Sequence, residues 1–92
     1  MQAERAQILS LQALAWLGGD EDMLVAFLQA TGADTGELRA RATEPVFQIA
    51  VLDFLMTNDA WVIAFCDAHA FAYTDPAAAR AALPGGAIPH WT

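Results

Sequence analysis

The sequence predicts an all-α protein, a compact bundle of about six helices (four main, two short) with two similar halves. Apolar residues return every three or four positions along most of the 92 residues, which is the spacing of one helix face. Glycine, proline and capping residues separate these segments, as they do at helix ends. Apolar residues make up 57% of the chain, and many of them are alanine, the strongest helix former.

The first predicted helix is Ala3–Leu17. Ile8, Leu11 and Ala15, and also Leu14 and Leu17, recur there at three- and four-residue steps and define its apolar stripe. Gly18-Gly19 ends the helix, because glycine readily takes the left-handed conformation that a helix C-terminus commonly needs.

Two further helices complete the first half. Asp20 has the position of an N-cap, and Gly32 closes the helix that follows it. Asp34 and Glu37 have the spacing of a capping box, in which each side chain satisfies a backbone donor of the other residue. A short helix is therefore expected after Asp34 and before Pro45.

The second half begins with the most apolar segment, Pro45–Met56, which we predict to be the buried centre of the bundle. Asn58 caps the next helix, which continues to about His69. Thr74-Asp75-Pro76 starts a last short helix, with a cap followed by a proline, and Pro84-Gly85-Gly86 stops it.

Shifting the first half by 38 positions aligns it with the second. The shift lays Phe27 on Phe65 and the cap Asp20 on the cap Asn58. Each half then consists of a helix, a capped helix and a capped short helix, although alanine-rich helices can also match by chance. We predict one helical domain over residues 1–92, with halves at about 3–43 and 45–83 and a tail at 84–92.

Several segments follow one another in order over nearly the whole chain: LQALAWL, DEDMLVAFLQATG, ELRARA, VLDFLM, LPGG and a Pro-His-Trp ending. Together they resemble a family of short, uncharacterised alphaproteobacterial proteins, classed as a domain of unknown function. The resemblance implies a helical, bacterial, cytoplasmic protein and brings no activity, cofactor or catalytic residue. In that family a Gly-Asp-Pro turn is expected where this chain has Thr43-Glu44-Pro45, which weakens the helix cap at that point.

The chain is strongly acidic, with 11 acids, 4 bases and a net charge of −7. Such a surface repels the phosphates of nucleic acids and of anionic membranes, so we expect neither as a partner. The charge keeps an apolar protein in solution. The excess of apolar residues predicts that some face outward, where a protein partner or a second copy covers them.

A cytoplasmic protein is expected from three features. The single cysteine, Cys66, has no second cysteine with which to form an internal disulfide. The first residues lack the cationic segment that precedes the apolar run of a secretory signal. The apolar segment Pro45–Met56 is interrupted by Gln48 and Asp53 and is shorter than the roughly 20 residues of a membrane span.

Cys66 and His69 are the first candidates for chemistry, since residues three apart on a helix lie side by side. A thiolate and an imidazole form a nucleophile pair or half of a metal site. A zinc site needs about four ligands, and only His90 and scattered acids remain. The favoured interpretation is a buried cysteine and a histidine that suits the dipole at the helix C-terminus, with no metal or cofactor.

Asp53 is the one acid in the most apolar predicted helix. It is either a buried acid used in proton transfer or a structural carboxylate. In the structural interpretation it pairs with Arg39 or Arg41, or lies exposed at the edge of the bundle. We favour the structural interpretation because no second acid or base accompanies it.

Trp91 and Ile88 follow Pro84-Gly85-Gly86 and give the chain an apolar end. Large apolar side chains are costly to leave in water. They either dock in a groove of the same bundle, which is the favoured interpretation, or dock on a second copy, or stay free. Trp16 and Trp61 belong to helical faces and are predicted to lie in or near the core.

Two classes of function remain open. The first is a non-catalytic protein-interaction or self-associating helical module. It is favoured by the excess apolar surface and by the lack of H-E-x-x-H, G-x-S-x-G and C-x-x-C motifs. The second is a small enzyme or ligand-binding protein with a pocket near Asp53, Cys66 or His69.

Overall fold

The computed structural model describes residues 1–86 and confirms the all-α prediction, since the described chain contains six helices and no strand. The helices are α1 (Ala3–Gly18), α2 (Glu21–Thr31), α3 (Thr35–Arg41), α4 (Pro45–Leu55), α5 (Asp59–His69) and α6 (Asp75–Ala82). Their bounds follow the predicted caps and breakers closely. The radius of gyration of 12.4 Å is that of a compact chain of this length.

Side-chain caps mark the starts of α2, α3 and α5. The Asp20 side chain accepts a hydrogen bond from a backbone N–H of the first turn of α2 at 3.1 Å. Asp34 and Glu37 form the predicted capping box, which satisfies two backbone donors that would otherwise lack partners. At α4 the Glu44 side chain makes no cap bond and Pro45 begins the helix, in agreement with the weak cap expected at this turn.

α1 lies centrally in the fold, because it packs against α2, α4 and α6. Three fully buried phenylalanines contribute to the core, namely Phe27 on α2, Phe47 on α4 and Phe65 on α5. Aromatic side chains dominate the energetics of cores because each buries a large area. The sequence predicted α4 as the buried centre of the bundle. In the structure α4 shares the central position with α1. It buries one face, while Val46 in its first turn is 72% exposed.

The structure corrects part of the predicted apolar stripe of α1, in which Leu17 is buried and Leu14 is half-buried. Ile8, Leu11 and Ala15 are exposed, Ile8 by 51% and Leu11 by 39%. The buried face instead carries Ala6, Leu9, Ser10, Ala13 and Leu17. Two stripes of similar spacing run along this helix, and the one with several small residues faces inward because small side chains let neighbouring helices approach closely.

Aromatic contacts cross between the two halves of the chain. Trp16 of α1 meets Phe65 of α5 edge-on, with 6.0 Å between ring centroids. Phe54 of α4 meets Phe27 of α2 in the same way at 5.4 Å, a geometry that aromatic pairs prefer. Phe54 also stacks on Trp61 at 5.2 Å, which fixes the indole at the start of α5. The internal repeat stays a prediction.

Candidate functional site

Cys66 lies inside the core on α5, with no exposed surface. Its thiol donates a hydrogen bond to the carbonyl oxygen of Ala72, with 3.4 Å between sulfur and oxygen. Burial raises the pKa of the Cys66 thiol, and the negative charges of Asp75 and Asp67 raise it further. All three effects favour the neutral thiol over the nucleophilic thiolate.

His69 is the last residue of α5 and is exposed. Its ring lies against Phe65, with 4.8 Å between centroids, and stacks on Phe71 at 6.4 Å. The Cys66 thiol donates its hydrogen bond to the backbone carbonyl of Ala72 and not to the His69 ring. The two residues therefore share a helix but have different partners.

Asp53 lies at the outer edge of α4 and binds Arg80 of α6. The guanidinium donates to both carboxylate oxygens, from Nε to Oδ1 at 2.5 Å and from Nη2 to Oδ2 at 3.4 Å. Arg80 Nη1 also donates to the carbonyl oxygen of Gly86 at 3.0 Å. One arginine thus ties α4, α6 and the turn after α6 together, in the two-point geometry that suits a guanidinium.

The predicted pairing of Asp53 with Arg39 or Arg41 is not the one observed. Arg41 pairs with Glu44, with 3.2 Å between Nε and Oε1, and Arg39 is exposed on α3. α6 packs beside α4, and its Arg80 reaches the carboxylate. The two residues are 27 positions apart, and no local pattern in the sequence indicates that contact.

The surface that residues 1–86 form includes a cleft at the start of α1 and another between α2 and α5. A cleft of about 360 Å³ lies at the start of α1 and is lined by Gln2, Glu4, Arg5 and Ile8. A second cleft of about 230 Å³, here named the α2–α5 cleft, is lined by Asp20, Asp22, Met23, Ala26 and Trp61. Asp53, Cys66 and His69 line neither of them, so the candidates chosen from the sequence lie elsewhere.

The α2–α5 cleft combines apolar and acidic side chains. Met23 and Trp61 are half-buried, and Asp22 is exposed in the first turn of α2. The cleft therefore offers an aromatic ring and a carboxylate to the same bound group. The shift of 38 positions also lays Met23 on Trp61, but that pattern gives no indication of a cleft.

An exposed apolar strip, here named the α1 face, runs along α1. It consists of Ile8, Leu11 and Ala15, which are three and four residues apart and therefore lie on one side of the helix. The same helix forms part of the core with its opposite side. The α1 face is thus a rigid surface, held in place by the packing behind it.

Ile88 and Trp91, predicted to dock at the end of the chain, lie outside the described residues. Within residues 1–86, no three histidine, cysteine, aspartate or glutamate side chains are placed to hold a metal ion together. No helix in this range is by itself long and apolar enough to cross a membrane. α4 and α5 meet the length and composition criteria only as a pair, with a bend of 111° between them.

Six helices around an aromatic core, with an apolar face and an acidic cleft on the surface, define a small all-α bundle protein. The chain belongs to the family described as "Protein of unknown function (DUF3572)", whose model matches residues 3–86. The match confirms the resemblance to an uncharacterised family, while the alphaproteobacterial source stays a prediction. No curated protein and no solved structure matches the chain.

Proposed function

We propose that this protein is a non-catalytic interaction module that binds a second copy of the same chain through the α1 face. The proposal rests on the exposure of two large apolar residues, Ile8 and Leu11, on a helix whose other side forms the core. Adjacent apolar side chains that face outward on a folded protein are typical of binding surfaces.

The α1 face complements itself in shape. Ile8 lies about one turn before Leu11, and Ala15 lies about one turn after it. In a twofold contact between antiparallel α1 helices centred on Leu11, each Ile8 meets the Ala15 of the second copy. A large side chain opposite a small one lets two helices interdigitate.

We expect the association to be weak. α1 has 16 residues, and a helix of that length spans about 24 Å. The contact area therefore falls below the roughly 800 Å² per partner of a stable complex. Repulsion between two chains of charge −7 lowers the affinity further and is screened by salt. A dissociation constant of about 1 µM or weaker, tightening as salt is added, is the expected behaviour.

The environments of Cys66 and Asp53 support structural roles in such a module. The thiol is buried with a raised pKa, and the carboxylate is bound by Arg80. We propose the cytoplasm as the compartment, supported by the free thiol of Cys66.

Sedimentation velocity on the purified chain of 9.8 kDa tests the proposal. The average mass should rise towards that of a dimer between about 10 µM and about 1 mM protein. Leu11→Gln places an amide at the centre of the contact, where it has no partner, and should keep the protein monomeric.

The matched control is Val46→Gln, which removes a more exposed apolar side chain from α4 and should leave the dimer unchanged. Circular dichroism should show that both variants keep their helices. A wild-type monomer at the highest concentration, or equal effects of the two substitutions, would contradict the proposal.

A further inference from the structure

We infer that the α2–α5 cleft binds an arginine side chain of a partner protein. The site shares no residue with the α1 face, so the inference does not rest on self-association. Its volume of about 230 Å³ is below the roughly 300–1,000 Å³ of pockets that enclose small molecules. A space of this size suits one long side chain better than a cofactor.

The apolar part of the cleft is formed by Met23, Ala26 and Trp61. Trp61 stacks on Phe54 with 29° between the ring planes, and Phe54 in turn contacts the buried Phe27 edge-on. The indole is therefore fixed before a ligand arrives, which lowers the ordering cost of binding. A guanidinium above an indole is attracted by the negative face of the ring, and the methylene groups of an arginine can cover apolar neighbours.

The charged part of the cleft is acidic. Asp20 and Asp22 line it, and Glu21 lies between them in the first turn of α2. Neither α2 nor α5 contains a lysine or an arginine. The starts of α2 and α5 carry partial positive charges of about half a unit each. These do not cancel the carboxylates of the cap Asp20, of Glu21 and Asp22 on α2, and of Asp59 on α5.

Asp22 is the main carboxylate for a bound cation. Asp20 already accepts a hydrogen bond from the Met23 backbone N–H through Oδ1. Asp22 is exposed and lies on the same turn as the cleft residues. A guanidinium can bind its two oxygens in parallel while stacking on Trp61, which a lysine ammonium cannot do.

An exposed apolar residue on the helix that carries Asp22 favours a protein partner over a free cation. Val25, almost one turn after Asp22 on α2, is 48% exposed. It gives the residues that flank a bound arginine a surface to contact. Buried arginine anchors surrounded by weaker apolar contacts are a common composition of protein interfaces.

Peptide titrations, followed by nuclear magnetic resonance of the isotope-labelled full chain, test the inference. The probes are Nα-acetyl-arginine amide, the uncharged citrulline analogue, and the capped peptide Leu-Ala-Arg-Ala-Leu. The arginine amide should shift the indole N–H of Trp61 and the backbone N–H of Ala26 in a saturable way. The citrulline analogue should bind about tenfold more weakly, and the peptide more tightly than the amide because its leucines reach Val25.

Two substitutions of equal charge change locate the site. Asp22→Asn removes a carboxylate that lines the cleft and should weaken arginine binding about tenfold. Glu21→Gln removes the neighbouring carboxylate, which does not line the cleft, and should change the affinity by less than about twofold. The same titrations on the Leu11→Gln chain should give the same result, which separates this site from self-association.

Four outcomes would overturn the inference. Absence of saturable shifts means that the cleft binds none of the probes. Equal binding of the arginine and citrulline probes would mean that charge does not contribute to the affinity. Equal effects of Asp22→Asn and Glu21→Gln would mean that the probes are attracted diffusely to an acidic surface. Equal affinities for the amide and the peptide indicate a site for a free cation and not for a protein.

Discussion

α2 and α5 are built alike, but they differ at the residue that ends them. Each has 11 residues, begins after a side-chain cap and buries one phenylalanine, Phe27 or Phe65. Each is followed by a residue in the left-handed conformation. That residue is Gly32 after α2, with φ 73°, and Ala70 after α5, with φ 59°.

The difference shows that a glycine is sufficient to end one helix, whereas the alanine that ends the other is accompanied by contacts of the residue after it. Glycine adopts the left-handed conformation without steric cost, whereas a residue with a Cβ pays about 1–2 kcal/mol. At α5 the next residue, Phe71, stacks on Phe65 with 5.7 Å between centroids, and its N–H donates to the Cys66 carbonyl at 3.0 Å. These contacts offset the strain at Ala70.

Removing the buried rings should produce the largest effect. Phe27→Ala and Phe65→Ala should each lower the free energy of unfolding by about 3–5 kcal/mol, because both side chains are fully buried. Urea denaturation followed by circular dichroism measures the loss. Val25→Ala and Ile63→Ala, at exposed positions of the same helices, should change stability by about 0.5 kcal/mol or less. A small loss from only one phenylalanine would show that the two helices are not equally anchored.

Replacing Gly32 by alanine and Ala70 by glycine should change the free energy of unfolding in opposite directions. Gly32→Ala should lower stability by about 1–2 kcal/mol, since it introduces a Cβ at positive φ. Ala70→Gly should raise stability by about 0.5–1 kcal/mol, the relief of strain less the entropy that glycine adds to the unfolded chain.

Melting temperatures of the two variants measure this exchange. The control is Ala68→Gly, inside α5 and exposed, which should destabilise by about 0.5–1 kcal/mol. Destabilisation by Ala70→Gly would contradict this account of the two helix ends, because it would mean that the alanine is not strained.

The sequence predicted the bounds of the helices well, but two of the expected end structures are wrong: Gly19 has φ −76° and not the left-handed conformation, and the Thr74 side chain makes no cap hydrogen bond. Other local signals act as predicted. Asp20 and the Asp34–Glu37 capping box act within one turn of their own helix, so residue type and spacing are sufficient. Gly32 is a signal of the same kind. Ala70 is not, because nothing about an alanine indicates positive φ, although the contacts of Phe71 with Cys66 and Phe65 lie within the same helix end.

The faces of helices and the candidate sites were harder to predict. α1 has two apolar stripes, and only the packing of its neighbours decides that Ile8 and Leu11 face outward. Asp53 and Arg80 meet through the packing of α4 on α6. Cys66 was singled out by its chemistry, although its accessibility depends on the fold.

The smallest expected effect concerns Cys66, which lies in α5 where the shift of 38 positions places Leu28 in α2. Burial, then Asp75 and Asp67, raises the pKa of this thiol above its ordinary value of 9.0. As the pH rises past that value, the unfolded chain loses the proton first. The stability due to Cys66 is therefore complete below about pH 9 and falls as the pH approaches the folded pKa.

Urea midpoints between neutral and strongly alkaline pH should show this loss in the wild type and less of it in Cys66→Val. Tyr73 must be separated, because its hydrogen bond to Asp67 also raises the pKa of its phenol, which gives the same sign of pH dependence. Measuring both variants in a Tyr73→Phe background isolates the thiol. An identical pH dependence with and without Cys66 in that background would mean that the sulfur is hydrated in the native state. In that case iodoacetamide would label the folded protein as fast as the unfolded one, whereas a sealed core predicts slow labelling and a burst on unfolding.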